Sequence, residues 1–210
     1  MEAPSRLEIS LSAIEHNIGV IRRALAAKSA KAAGLCAVIK DDAYGLGAAR
    51  IAKRLEGCGV EMLAVFTPEE ARSLIAAAVG APILILMPVR EFHRNDALYR
   101  GITQGRIHMA VHDEEQLKSL ADHADRFGVI LPLHLEVNTG MSRGGARPEE
   151  AERMARTIAR HARLRMAGVF THFCAADRDD AMTRAQAERF EGWLAKVGDA
   201  LPQGCIVHQA

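Results

Sequence analysis

A chain of 210 residues, 49% hydrophobic and with a formal net charge of +1, has the material for a folded core and no field that would draw it to nucleic acid. The opening MEAPSRLEISLSAIEHN lacks the basic segment and unbroken apolar run of a secretory signal, and no stretch is long enough to cross a bilayer. A cytoplasmic protein with a small neutral or zwitterionic ligand, and with neither membrane nor nucleic acid as partner, is the expectation.

The first predicted element is a helix, with Ser12 and Glu15 in capping-box spacing and Ile14, Ile18 and Ile21 as its apolar positions. Short apolar runs then alternate with amphipathic stretches. Strands are predicted near residues 35–39, 60–66, 82–87, 107–111, 132–137, 166–171 and 205–208. Runs such as PILILM and MAGVF are continuous, as strands of a parallel sheet covered on both faces require. Between them, Thr67, Pro68 and Glu70 supply the N-cap, N1 and N3 residues of a helix. Asp113 with Gln116 repeats the device, and Gly128 closes that helix. A later helix is predicted from Asp180 to Val197, with Met182, Phe190, Trp193, Leu194 and Val197 as its apolar stripe and Trp193 in the core. Cys36, Cys58, Cys174 and Cys205 lie far apart without C-x-x-C spacing, and are read as reduced and buried.

Alternating strands and helices make an α/β protein, and permit either an open doubly wound sheet or a (β/α)8 TIM-type barrel. The absence of G-x-G-x-x-G after the first strand weighs against the dinucleotide-binding version. As a barrel, the chain is one domain over residues 1–210 that stops after the seventh strand.

In parallel barrels the chemistry sits at the carboxyl ends of the strands. Lys40 follows the first strand, Arg143 lies beyond the fifth in EVNTGMSRGG, His172 ends the sixth in VFTHF and His208 ends the seventh in CIVHQA. Tyr44 follows Lys40 by four residues in a glycine-flanked turn. A lysine so placed can attack an aldehyde only as free base, and its ordinary pKa of ~10.4 must be lowered by burial or a neighbouring cation. His108 and His112 have a spacing that on a helix could bind metal, but MAV between them reads as strand, which separates the two rings.

The segment VIKDDAYGLG, from Val38 to Gly47, resembles the cofactor-lysine motif of alanine racemase, a pyridoxal 5'-phosphate (PLP) enzyme of fold type III. The resemblance extends through LEISLSAIEHN and the segments around Arg143, His172 and His208, and so covers essentially the whole chain. It implies that Lys40 binds the cofactor aldehyde as an imine and acts as base on one face of the substrate α-carbon. Tyr44 would bind the cofactor phosphate, Arg143 its phenolic oxygen near the substrate carboxylate, and His172 would pack along the ring. His208 would open the family's H-x-A-N-S segment, whose asparagine and serine would follow Ala210. Glu136 stands where many members carry a carbamylated, anionic lysine, and is read as orienting Arg143. Leu46 replaces a histidine that is not catalytic.

The resemblance also implies a homodimer in which a tyrosine from the partner's carboxy-terminal β domain serves the opposite face. Tyr44 and Tyr99 are the two tyrosines here, so the expectation is an incomplete unit with little racemase activity alone. The full-length isomerase would interconvert L- and D-alanine, a D-amino acid of use as a peptidoglycan precursor. Three rivals remain open: a PLP-binding protein without racemase activity, another fold-type III enzyme such as an amino-acid decarboxylase, and a Schiff-base aldolase using Lys40 without cofactor.

Overall fold

In a computed structural model that describes residues 7–27 and 33–210, strands and helices alternate as the sequence predicts. Among the described residues the strands are Cys36–Val38 (β1), Met62–Val65 (β2), Ile83–Ile85 (β3), Ile107–Val111 (β4), Leu131–Glu136 (β5), Leu164–Thr171 (β6) and Ile206–Gln209 (β7). The helices are Leu11–Ala26 (α1), the short Lys40–Gly45 (α2), Ala48–Gly57 (α3), Pro68–Ala76 (α4), Ala97–Thr103 (α5), Glu114–Phe127 (α6), Pro148–Arg160 (α7) and Asp180–Val197 (α8). Two compact units divide the chain, one ending at Ile83 and the other running Leu84–Ala210.

In the first unit β1 and β2 pair in parallel, with Cys36 opposite Met62 and Val38 opposite Ala64. α1 begins two residues earlier than predicted, because Ser10 and not Ser12 takes the cap, accepting from Ala13 N–H at 3.2 Å. Its inner face is Leu11, Ile14, Ile18 and Leu25, half-buried, while Ile21 turns outward at 45% exposure. Ion pairs from Arg22 to Glu61 and from Glu15 to Arg54 hold it in place. α4 starts as expected: Thr67 accepts from Glu70 N–H, Glu70 returns a carboxylate oxygen to Thr67 N–H, and Pro68 is at N1.

In the second unit β4, β5, β6 and β7 pair in chain order, all parallel. A register shift between Leu133 and His134 brings His134 opposite Gly168. β4 and all but the last residue of β5 are buried, whereas Ile206 and Val207 of β7 are about half exposed, contrary to a strand covered on both faces. Asp113 caps α6 by accepting from Gln116 N–H at 2.6 Å, and Gly128, left-handed at φ 70°, closes it. Gln116 does not complete a capping box. Fully buried, it accepts from His112 N–H and donates to the carbonyls of Val89 and Ala110, stitching three stretches of backbone together. α8 spans the predicted residues, but its buried positions are Gln186, Phe190, Trp193 and Val197, and Met182 is 46% exposed. Trp193 lies in the core and donates from Nε1 to Pro148 O at 3.0 Å.

The four cysteines are free. None is fully buried and Cys174 is exposed, so the expected burial is corrected; partial burial still pushes the thiols of Cys36 and Cys205 up to about 11. Among the described residues no helix is long and apolar enough to cross a membrane.

Replacing Gln116 by leucine, which fills the space but satisfies none of its three backbone partners, should cost about 2–4 kcal/mol, because each buried polar group left unpaired costs about 1–3 kcal/mol. Urea unfolding followed through Trp193 fluorescence would measure it, and a loss below 1 kcal/mol would show that water takes over the partners.

Candidate functional site

Lys40 begins the turn that directly follows β1. The next four residues, Asp41, Asp42, Ala43 and Tyr44, all have left-handed backbone at φ 51–57°, and Gly45 follows at φ 81°. For residues with a Cβ this hand costs roughly 1–2 kcal/mol each, so the turn exists only where its surroundings impose it. Here the backbone closes on itself through Ala43 N–H to Ile39 O and Gly47 N–H to Asp42 O, at 3.0 and 2.9 Å. Asp42 also caps α3, its carboxylate accepting from Ala48 N–H at 2.7 Å. The remaining clamp comes from α4. One oxygen of Glu70 receives the N–H groups of Phe66 and Thr67, and the other receives Asp41 N–H. Lys40 is half-buried and Tyr44 is 60% exposed. Neither side chain has a hydrogen-bond or ion-pair partner among the described residues.

In the second unit the loop after β5 carries Arg143. Its base is zipped by Asn138 N–H to Ala146 O and Ala146 N–H to Glu136 O, at 2.8 and 2.9 Å. Its inner turn is held by Asn138 Oδ1, which accepts from Gly140 and Ser142 N–H. Gly145, at φ 84°, admits no side chain: a Cβ would stand 2.9 Å from Glu136 Cγ and 3.0 Å from Asn138 N. Arg143 at the tip is exposed and has no hydrogen-bond partner among the described residues. Glu136, the expected orienter of Arg143, faces a residue the sequence reading had set aside. Its carboxylate lies 2.9 Å from His112 Nδ1, and His112 Nε2 donates to Leu86 O at 2.8 Å. Glu136 and His112 therefore brace the base of the Arg143 loop, with Gly144 and Gly145 packed against them.

His172 follows β6, half-buried, and the strand end around it is pinned by Phe173 N–H to Ala210 O at 2.6 Å. His208 stands in β7 opposite Phe170, which in turn stands opposite Glu136, so these three occupy one level of the sheet. Phe170 and His208 stack with ring centroids 4.8 Å apart. His208 Nε2 meets His134 Nδ1 at 2.9 Å, His134 Nε2 meets His108 Nδ1 at 2.9 Å, and His108 Nε2 meets Gly105 O at 3.1 Å. Burial is the main cause pushing His108 and His208 down to about 4, and it pushes His134 further down, with the neighbouring rings and Arg165 adding to it. At neutral pH these rings are uncharged. Sequence reasoning found His208 and missed His134, Glu70 and the structural part of His112; three histidines at inward-compatible strand positions were the available signal.

Each unit brings its own chemistry: the first a half-buried, unpartnered amine and a phenol, groups that suit an aldehyde and a phosphate, the second an exposed guanidinium and the uncharged imidazoles of its histidine line. Residues 9–210 match the family described as the amino-terminal domain of alanine racemase. An alanine racemase of Symbiobacterium thermophilum is 34% identical over 208 residues, which make up 99% of this chain and 52% of that protein. The crystal structure of the alanine racemase from Streptomyces lavendulae superposes with a TM-score of 0.81 at 29% identity, covering 100% of this chain and 54% of that one. Alanine racemase from Clostridium difficile 630 gives 0.77 at 28% identity, covering 93% and 53%. The fold class expected from the sequence, α/β with parallel strands alternating with helices, is thus that of solved alanine racemases.

Two outcomes follow from this geometry. Glu70→Ala should release the left-handed turn, so amide hydrogen exchange in a peptide covering residues 38–47 should accelerate at least tenfold. Glu70→Gln, with one acceptor oxygen in place of two, should lie between; unchanged exchange in the alanine variant would show that the turn does not depend on Glu70. The histidine line should make stability pH-dependent. Its rings bind fewer protons folded than unfolded, so their contribution is complete above the ordinary value of 6.5 and is lost as pH falls from 6.5 towards 4. Each unit of separation corresponds to about 1.4 kcal/mol. The urea midpoint should be flat above neutrality and drop through that window, ahead of any loss from carboxylates such as Glu56 and Glu61, which are held below their ordinary 4.5.

Proposed function

Because the chain belongs to the alanine racemase family by its amino-terminal domain, we propose that it is the cofactor-holding part of a PLP-dependent racemase that acts on a small amino acid, alanine first among them. It spans about half the length of the curated relatives it matches. The observation that carries the reading is Lys40, an unpartnered, half-buried amine at the end of β1, fixed in place by a left-handed turn that four non-glycine residues would not adopt unassisted.

Lys40 would hold the cofactor through its aldehyde carbon and carry a proton to and from one face of the substrate α-carbon. Bound PLP supplies an electron sink that makes the α-proton of an amino acid removable. Tyr44 would bind the phosphate with its phenol, Arg143 the phenolic oxygen with a fork of N–H donors, and His172 and His208 would support the ring. Glu136, through His112 and the glycines it packs against, would keep the Arg143 loop in register rather than pair with Arg143 itself. Inversion needs a second acid–base group on the opposite face, because a single base returning its proton to the same side regenerates the starting enantiomer. With Tyr44 on the phosphate, that group would come from the homodimer partner's carboxy-terminal domain, and these 210 residues alone would hold cofactor without appreciable turnover. A cytoplasmic enzyme supplying D-alanine fits this reading.

The test begins with absorbance. Protein incubated with PLP should acquire a visible band that borohydride abolishes, and peptide mapping should then place the pyridoxyl mass on Lys40. Mass on Lys53 or Lys118 instead would overturn the assignment, and release of carbon dioxide from an amino-acid substrate would favour a decarboxylase.

A further inference from the structure

The line of His108, His134 and His208 has a direction. Gly105 O can only accept, so His108 Nε2, 3.1 Å away, carries its proton. In a neutral ring Nδ1 is then bare, and it must accept from His134 Nε2–H across 2.9 Å. That leaves His134 Nδ1 bare in turn, to accept from His208 Nε2–H across 2.9 Å. A single backbone carbonyl before β4 thereby sets the tautomer of a ring on β7. The opposite polarity is unavailable, since it would require a carbonyl to donate. A proton added to His108 or His134 would place a charge in the interior close to Arg165.

Gly168 makes the span possible. It lies on β6, opposite His134 and between the two strands that the hydrogen bond connects. A Cβ at Gly168 would stand 2.3 Å from His134 Nδ1, so any other residue would fill the route from β5 to β7. The register shift between Leu133 and His134 is what brings that ring to this gap. Phe170, stacked on His208 at an interplanar angle of 15°, fixes the plane of the ring while His134 fixes its proton.

We propose that His108 and His134 are positioning residues that hold His208 as its Nε2–H tautomer, so that its Nδ1 stands as a fixed acceptor for a hydrogen-bond donor near the carboxyl end of β7. Among the described residues Nδ1 of His208 has no partner. The tautomer stands on the hydrogen bonds alone; its use in holding the cofactor rests on the function proposed above.

Long-range nitrogen–proton correlation spectra of histidine-labelled protein read the tautomer directly. In the unaltered protein His208 should show a proton on Nε2 and none on Nδ1 at neutral pH. An Nδ1–H tautomer or an imidazolium there would overturn the proposal without any variant. His134→Leu should convert His208 to a mixture of tautomers. His134→Gln should restore the single form, because the amide oxygen can accept from His208 while the amide nitrogen donates to His108. Gly168→Ala should reproduce the leucine result with all three histidines present. An unchanged His208 in both His134→Leu and Gly168→Ala would sink the relay. Affinity for PLP should fall about tenfold in His134→Leu, the worth of one hydrogen bond, and recover in His134→Gln. A changed tautomer with unchanged PLP affinity would uphold the relay and overturn instead the place of His208 in the cofactor site.

Discussion

One carboxylate holds the first unit to its purpose. Glu70 completes the start of α4 with one oxygen and grips Asp41 with the other, so the helix cap and the unusual turn after β1 are the same piece of chemistry. A cap alone would be worth about 1 kcal/mol and is found on most helices. What the second oxygen adds is the hand of the backbone. Without an acceptor at that point the residues after Lys40 would relax towards ordinary right-handed geometry, and the amine would leave the end of its strand in a different direction.

The second unit solves a different problem, the placing of polar side chains within a sheet that is otherwise apolar. Several buried polar side chains there take partners from a neighbouring strand or loop: Gln116 serves three backbone groups, Thr171 donates to Val137 O and accepts from Thr139 at 2.7 Å, and His134 bonds to a histidine on either side. A buried network of this kind specifies a single arrangement, because any slip of register leaves several groups unpaired at once. Glycine takes part by omission. Gly168, Gly144 and Gly145 mark places where a ring or an acidic side chain passes close to backbone.

The strands were legible because a continuous apolar run states its own burial, and the caps of α4 and α6 because capping is a contact between residues three apart. Ser10 displaced Ser12 since two serines in one turn offer the same chemistry and only the wider packing chooses between them. The left-handed turn was hidden: Asp-Asp-Ala-Tyr contains no glycine to announce it, and the clamp lies 29 residues away. Lys40, Tyr44, Arg143, His172 and His208 could be picked out by their position after strands. The partner of Glu136 could not, because its meeting with His112 depends on how β4 lies against β5. The link from His134 to His208 was further out of reach, since it requires a register shift and a missing side chain on the strand between.

The wrong-handed turn also bears on how this sequence can drift. A right-handed helix tolerates an added or deleted residue by rotating everything beyond it, and a flexible loop absorbs one outright. Four consecutive residues held left-handed between a strand end and two fixed acceptors can do neither, since any change of length would detach Asp41 from Glu70 or Ala48 from Asp42. Asp42 apart, whose carboxylate caps α3, the identities of the residues between Lys40 and Tyr44 are therefore freer than their number. Over evolutionary time the interval itself, more than the letters that fill it, is what selection on this segment would preserve.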